Sequence, residues 1–227
     1  MNWLRKIFSC GSAQLGDQFN QQVSKQETTN KNEPSSSLLF PDATFEELFK
    51  TVHIGNQIWM AKNLDIDHFR NNTKIPEVQD GKEWKMASEA KRPAWCYYDN
   101  DAENGKIYGK LYNWFAVIDP RGLAPEGWHV PSQKEFEELL DAVGTDEHKQ
   151  YDALINGGYS GFNALLGGCR FSHNNFLDKG TDTSFWSSSQ CEDGIAYSLQ
   201  IWEPGRSGAY LVSSYYRLGF SVRCVKD

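Results

Sequence analysis

"GLAPEGWHVPSQKEFEELLDAVG", residues 122–144, announces a helix by its entrance. Ser132 followed three residues later by Glu135 is a capping-box pattern: the hydroxyl accepts one orphan backbone N–H, and the carboxylate reaches back for another. The spacing predicts a helix that starts at Ser132. Phe136, Leu139, Leu140 and Val143 recur at helical intervals and mark a buried stripe, while Lys134, Glu137, Glu138 and Asp141 fall toward water. Glu135 reads as a cap rather than a general acid, because no titratable partner stands near it in the sequence. His129 reads as a packed or surface residue rather than a base.

Strands surround this helix. "VHIGNQIWMAKNL" carries Val52 and Ile54, a Gly55–Asn56 turn, then Ile58 and Met60, which predicts a hairpin. "YGKLYNWFAVI" places Tyr108, Leu111, Tyr112, Phe115 and Ala116 on one helical face and predicts a short helix there. Toward the C-terminus the period becomes two. Ile195, Tyr197, Leu199 and Ile201 alternate with Ala196, Ser198 and Gln200, and Phe220, Val222 and Cys224 alternate with Ser221 and Arg223. The fold class is α+β with an antiparallel sheet in the C-terminal third.

Composition excludes some functions. A net charge of −7 with no basic stripe argues against a nucleic-acid partner, whose phosphates would be repelled. No apolar run approaches the length of a membrane span. From Gly11 to Ser37 the chain is mostly Gln, Asn, Ser, Thr and Lys, too polar to cover the entropy of ordering. We therefore expect a disordered tail over residues 1–39 and a folded domain over 40–227. The opening "MNWLRKIFSCGS" has the outline of a bacterial lipoprotein signal, but its apolar stretch is far too short to act as one.

Five ordered blocks carry a family resemblance: "VHIGNQIWMAKNL", "WCYYDND" leading into "YGKLYNWFAV", "GLAPEGWHVPSQKEFEEL", "FWSSS" and the closing "GFSVRCVKD". Together they resemble the Fibrobacter succinogenes major paralogous domain, widespread in Bacteroidetes proteins, over about residues 41–227. The tryptophan–proline entrance also resembles the second-helix entrance of C-type-lectin-like domains, including the formylglycine-generating branch. The resemblance implies a loop-rich, C-type-lectin-like fold: two helices flanking a small twisted antiparallel sheet, with the termini meeting at one end. Trp128 and Pro131 would then anchor a helix in a scaffold that holds loops. It also favours a cell-surface or secreted location, with the cytoplasm left open by the opening residues.

Catalytic and metal motifs fail on inspection. Asp99, Asp101, Glu103 and Gly105 resemble a calcium loop, but the glycine is one place late and Lys110 stands where a bidentate Glu is needed. "GGYSG" at 157–161 lacks the glycine spacing of a nucleophile elbow, since Phe162 occupies the required place. The histidines at 53, 68, 129, 148 and 173 show no helical zinc-ligand spacing. "WEPGR" at 202–206 resembles the Glu-Pro-Asn tripeptide of calcium-dependent lectins, but Gly205 replaces the Asn ligand and no Trp-Asn-Asp follows. Cys96, Cys169, Cys191 and Cys224 are compatible with two disulfides or with structural thiols, and none stands in the reactive pair of formylglycine-generating enzymes. No catalytic residue, metal or cofactor is expected.

Residues 190–217 have the composition of a binding surface, with four Tyr, four Ser, one Trp and two Arg. Family resemblance adds that C-type-lectin-like domains with such an ending are recurrent targets of diversity-generating retroelements. The expected function is a non-enzymatic ligand-binding display domain for a protein or glycan. The alternatives are a calcium- or carbohydrate-binding lectin and a cryptic enzyme of the formylglycine-generating type. The candidate binding residues are Gln190, Glu192, Asp193, Ser198, Gln200, Trp202, Glu203, Arg206, Tyr210, Ser213, Tyr215 and Tyr216. The alternation expects Ile195, Tyr197, Leu199 and Ile201 in the core. Ser198, Gln200 and Trp202 would share the opposite face, joined by Tyr210 and the Tyr215–Tyr216 pair.

Overall fold

The structure is a computed structural model that describes residues 50–171, 175–203 and 208–227, so the expectation of a tail over residues 1–39 lies outside the described residues. The first half carries β1 (Thr51–Ile54), β2 (Gln57–Met60), α1 (Gly81–Glu89), β3 (Trp95–Cys96), α2 (Ala102–Tyr108), β4 (Leu111–Tyr112) and α3 (Trp114–Val117). Then come β5 (Trp128–His129), α4 (Gln133–Val143), α5 (Glu147–Leu154), β6 (Gly167–Arg170) and β7 (Phe176–Lys179). The chain closes with β8 (Asp182–Glu192), β9 (Ile195–Trp202), β10 (Gly208–Tyr215) and β11 (Val225–Lys226).

Helix α4 forms as its entrance predicts. The Ser132 hydroxyl accepts the Glu135 N–H at 3.3 Å, and the Glu135 carboxylate accepts the Ser132 N–H at 2.8 Å. Phe136, Leu139, Leu140 and Val143 are the residues it buries. Glu135 also has a titratable partner that sequence proximity did not reveal, since its second oxygen meets His129 Nε2 at 2.6 Å. His129 Nδ1 meets Asp227 Oδ1, again at 2.6 Å. Burial draws the imidazole pKa down, but the two carboxylates outweigh it and hold it above its ordinary value. With both ring nitrogens engaged, this cluster ties β5, α4 and the residue after β11 together and leaves no free base.

The hairpin β1–β2 turns at Gly55–Asn56 as expected. The helix expected across Tyr108–Ala116 is instead broken in two. Gly109 takes φ +73°, a left-handed conformation that ends α2. Leu111 and Tyr112 then pair with Cys96 and Trp95, and Asn113 restarts a helix by accepting the Ala116 N–H at 3.1 Å. A local strand partner and a cap thus override helical spacing.

Two sheets organise the rest. The order β1-β2-β11-β5 puts the last strand between the first hairpin and the segment before α4, so both ends of the described chain meet there. The larger sheet runs β10-β9-β8-β6-β7, antiparallel except for the β6–β8 pair. One core gathers Trp95, Tyr112, Trp114, Trp128, Trp186 and Phe220. A second, beneath α4 and α5, gathers Trp59, Phe136, Tyr151, Phe162, Phe185, Leu199 and Ile201, and a smaller third packs Trp84, Ala94, Cys96, Tyr98 and Leu111. Buried indole N–H groups pin irregular backbone: Trp114 donates to Ser187 O at 2.9 Å, Trp95 to Ile75 O at 2.9 Å and Trp84 to Arg217 O at 2.7 Å. A loop-rich chain satisfies its backbone carbonyls this way and gains the area of the ring besides.

The segment Leu218–Val225 departs from the expected half-exposed strand. It is buried throughout, with Ser221 at 0% and Arg223 at 1% exposure, because it threads between the two larger cores. Phe220, Val222 and Cys224 face one core, while the Arg223 guanidinium lies 4.5 Å from the Phe162 ring in the other. Arg223 donates to Asn63 Oδ1 and to the Phe162 carbonyl, which removes the need for solvent. Cys96 and Cys224 are buried free thiols and Cys169 is a half-buried one, so the reading with two disulfides among the four domain cysteines does not hold.

Candidate functional site

Strands β8, β9 and β10 form one continuous antiparallel unit, and residues paired across it share a face. Tyr215 pairs with Ile195, Ser213 with Tyr197, Leu211 with Leu199 and Ala209 with Ile201, which sets the first face. Ser214 pairs with Ala196, Val212 with Ser198, Tyr210 with Gln200 and Gly208 with Trp202, which sets the second. Neither face is buried along its full length. Near the β9–β10 turn α5 packs against β10, and the first face is covered: Leu199, Ile201 and Ala209 are buried. Near the β8–β9 turn the second face is covered instead, and Ala196, Ser198 and Ser214 are buried with Trp186. Sheet twist carries each face from one core out to solvent, so the open positions form two patches on opposite sides.

The patch beside the β9–β10 turn lies on the second face. The Trp202 and Tyr210 rings sit 5.0 Å apart, tilted by 40°. Trp202 Nε1 donates to Gln200 Oε1 at 3.2 Å, which fixes the indole. Tyr210 folds over Gly208, where a Cβ would come within 2.5 Å of the phenol ring, so glycine is what lets the two rings meet. All three polar or aromatic side chains are half-buried. Asp182 pairs directly with Trp202 and extends the same face onto β8. Partial burial, with the Asp178 charge nearby, raises the Asp182 carboxyl to about 6, and burial raises Asp178 as well.

The second patch lies beside the β8–β9 turn on the first face. Tyr215 is 48% exposed, and the Arg217 guanidinium stacks on its ring at 4.4 Å. Tyr197 and Ser213 are half-buried beside it. Around the turn, Gln190, Glu192 and Asp193 are exposed. A cleft of about 270 Å³ opens there, lined by Gln190 and Asp193, by Lys91, Ile118 and Asp119, and by the buried Trp114, Phe115 and Tyr216.

Several expected site residues are placed differently. Ser198 is fully buried and hydrogen-bonds Ser214 Oγ at 2.9 Å, because this end of the face is roofed by the first core. Tyr216 is a core residue at 7% exposure: its ring stacks on Trp114 at 4.0 Å and its hydroxyl donates to the Glu192 carbonyl at 3.0 Å. Ile195 and Tyr197, expected in the core, are only half-buried. Tyr215 stands on the face opposite Trp202, so the single continuous patch does not form. That much was available from parity, since residues 210 and 215 are an odd number apart on one strand. Glu203 is exposed, and it lies close enough to Tyr151 of α5 to add to the rise that burial causes in that phenol's pKa. Arg206 lies outside the described residues. Gln200, Trp202 and Tyr210 do share one face. Asp182, Asp178 and Lys91 were missed because they reach the surface through strand pairing and loop packing that no local pattern encodes.

A family model described as the Fibrobacter succinogenes major domain matches residues 52–226. No curated protein and no solved structure matches the chain. The matched span runs from β1 into β11 and so takes in all three sheets, all three cores and both patches. The chain belongs to the Fibrobacter succinogenes major domain family.

Proposed function

We propose that this chain is a non-enzymatic ligand-binding display module of C-type-lectin-like architecture, whose binding surface is the open part of β8–β10. The architecture is supported by the meeting of the chain ends in the β1-β2-β11-β5 sheet and by the capped helix that follows Trp128. One observation carries the functional reading: two aromatic side chains, Trp202 and Tyr210, stand partly in solvent on a rigid strand pair with their orientation fixed. Aromatic anchors that need no reordering are what concentrate binding energy in interfaces. The free thiols favour this over thiol chemistry, because burial pushes Cys96 up to about 11 and Cys169 and Cys224 up to about 12, far from the thiolate form.

Selection of a displayed random peptide library and a glycan array on the wild-type domain tests the reading. Selected ligands should lose about thirtyfold in affinity on Trp202→Ala, the equivalent of roughly 2 kcal/mol at a hot spot. Ligands indifferent to Trp202, Tyr210 and Tyr215 would place the surface elsewhere. Dialysis against a chelator should leave the melt unchanged, and a lowered melt would move the reading to a calcium-dependent lectin. If a diversity-generating retroelement rewrites this segment, a near-repeat of the 3′ coding end should vary at Gln200, Trp202, Tyr210, Ser213 and Tyr215. It should spare the buried Ser198 and Tyr216, where substitution costs packing.

A further inference from the structure

The patch beside the β9–β10 turn has a charge preference, an inference that rests on the binding reading above. Its aromatic half is the Trp202–Tyr210 pair, and its polar half is Gln200 with Asp182 directly across the ladder from Trp202. Asp178, in β7, is close enough to act on Asp182 through its charge. Neither carboxylate forms an ion pair among the described residues. The nearest lysine in sequence, Lys179, is turned away: its ammonium hydrogen-bonds Asn104 at 3.2 Å and sits over the Tyr98 ring at 5.0 Å. Among the described residues no cation offsets the half-buried Asp182, which feels the charge of the exposed Asp178 and shares its face with the aromatic rings.

We propose that this face binds a cationic side chain, a lysine or arginine presented by a protein partner, with its charge against Asp182 and over the Trp202 and Tyr210 rings. The ring quadrupole attracts a cation most strongly at tryptophan, and the attraction grows as the site loses water. The carboxylate adds a charge-assisted hydrogen bond. An apolar side chain would desolvate the acids further without relieving their repulsion, and a neutral sugar would leave that repulsion intact. The chain's net charge of −7 favours the encounter with a basic segment.

The probe is a Gly-Lys-Lys-Gly peptide at roughly physiological ionic strength, with the same peptide acetylated on both lysine amines as its neutral counterpart. The readout is the indole Nε1–H signal of Trp202, identified by its loss in Trp202→Phe. The charged peptide should shift this signal saturably, the acetylated peptide at least about fivefold more weakly, and Asp182→Asn should weaken the charged peptide by a similar factor. Asp182→Asn keeps the side chain's shape, and a melt run on the same sample confirms that it folds. Equal shifts with both peptides, or a shift indifferent to Asp182→Asn in folded protein, would overturn the proposal. Library-selected ligands that need Trp202 but ignore Asp182→Asn would overturn only the charge assignment and leave the binding surface standing.

Discussion

Tyr215 and Tyr216 are adjacent in sequence, yet they should respond oppositely to truncation. Tyr216 stacks on Trp114 at 4.0 Å and 12°, meets Phe115 edge-on at 5.5 Å, and donates a hydrogen bond to the Glu192 carbonyl. Removing a buried aromatic ring costs about 3–5 kcal/mol, including the cavity it leaves. Tyr216→Ala should therefore destabilise by about 4 kcal/mol, which for a domain of this size is a fall in Tm of roughly 8–16 °C. Tyr216→Phe, which loses only the hydroxyl, should cost about 1 kcal/mol. Tyr215 is 48% exposed and leaves no cavity, so Tyr215→Ala should cost no more than about 1 kcal/mol, the worth of its surface contact with Arg217. Urea unfolding followed by tryptophan fluorescence, with a thermal melt on the same samples, gives both numbers. Equal losses for the two alanine variants would refute the assignment of Tyr216 to the core and Tyr215 to the surface.

Asp182→Asn should stabilise the free protein at pH 7 by about 1 kcal/mol after allowance for solvent screening, because its raised carboxyl pKa of about 6 penalises the folded state. That advantage should vanish as the pH falls through about 6 toward 4, where the wild-type carboxyl is protonated in the fold, and an advantage independent of pH would refute the cause. His129 titrates above its ordinary value in the fold. The stability it adds should be complete below about pH 6.5 and lost as the pH rises through the folded pKa, and His129→Gln should flatten that slope in urea midpoints measured from pH 5 to 8. Arg223→Met fills the same space but strands Asn63 Oδ1 and the Phe162 carbonyl, so it should cost about 3 kcal/mol, and an unchanged urea midpoint would show that those acceptors find other donors.

The parts legible in the sequence are those held by neighbours along the chain. Helix α4 was readable because Ser132, Glu135 and the stripe from Phe136 to Val143 act within three turns of backbone, and the first hairpin because Gly55–Asn56 suits its tight turn. Period two put Gln200, Trp202 and Tyr210 on one face, since alternation along a strand needs no knowledge of what covers it. What covers it was decided only in three dimensions. The same alternation continues through Ala196 and Ser198, yet these are buried while Gln200 and Trp202 are partly open, because twist moves that face out of one core before the turn. Asp182 reaches Trp202 only through strand register, and Ser221 and Arg223 lose their solvent only because their segment threads between two cores. Local hydrogen bonding and periodicity are written in consecutive residues, whereas burial, and with it which side chains remain free to bind, depends on partners brought together by the whole fold.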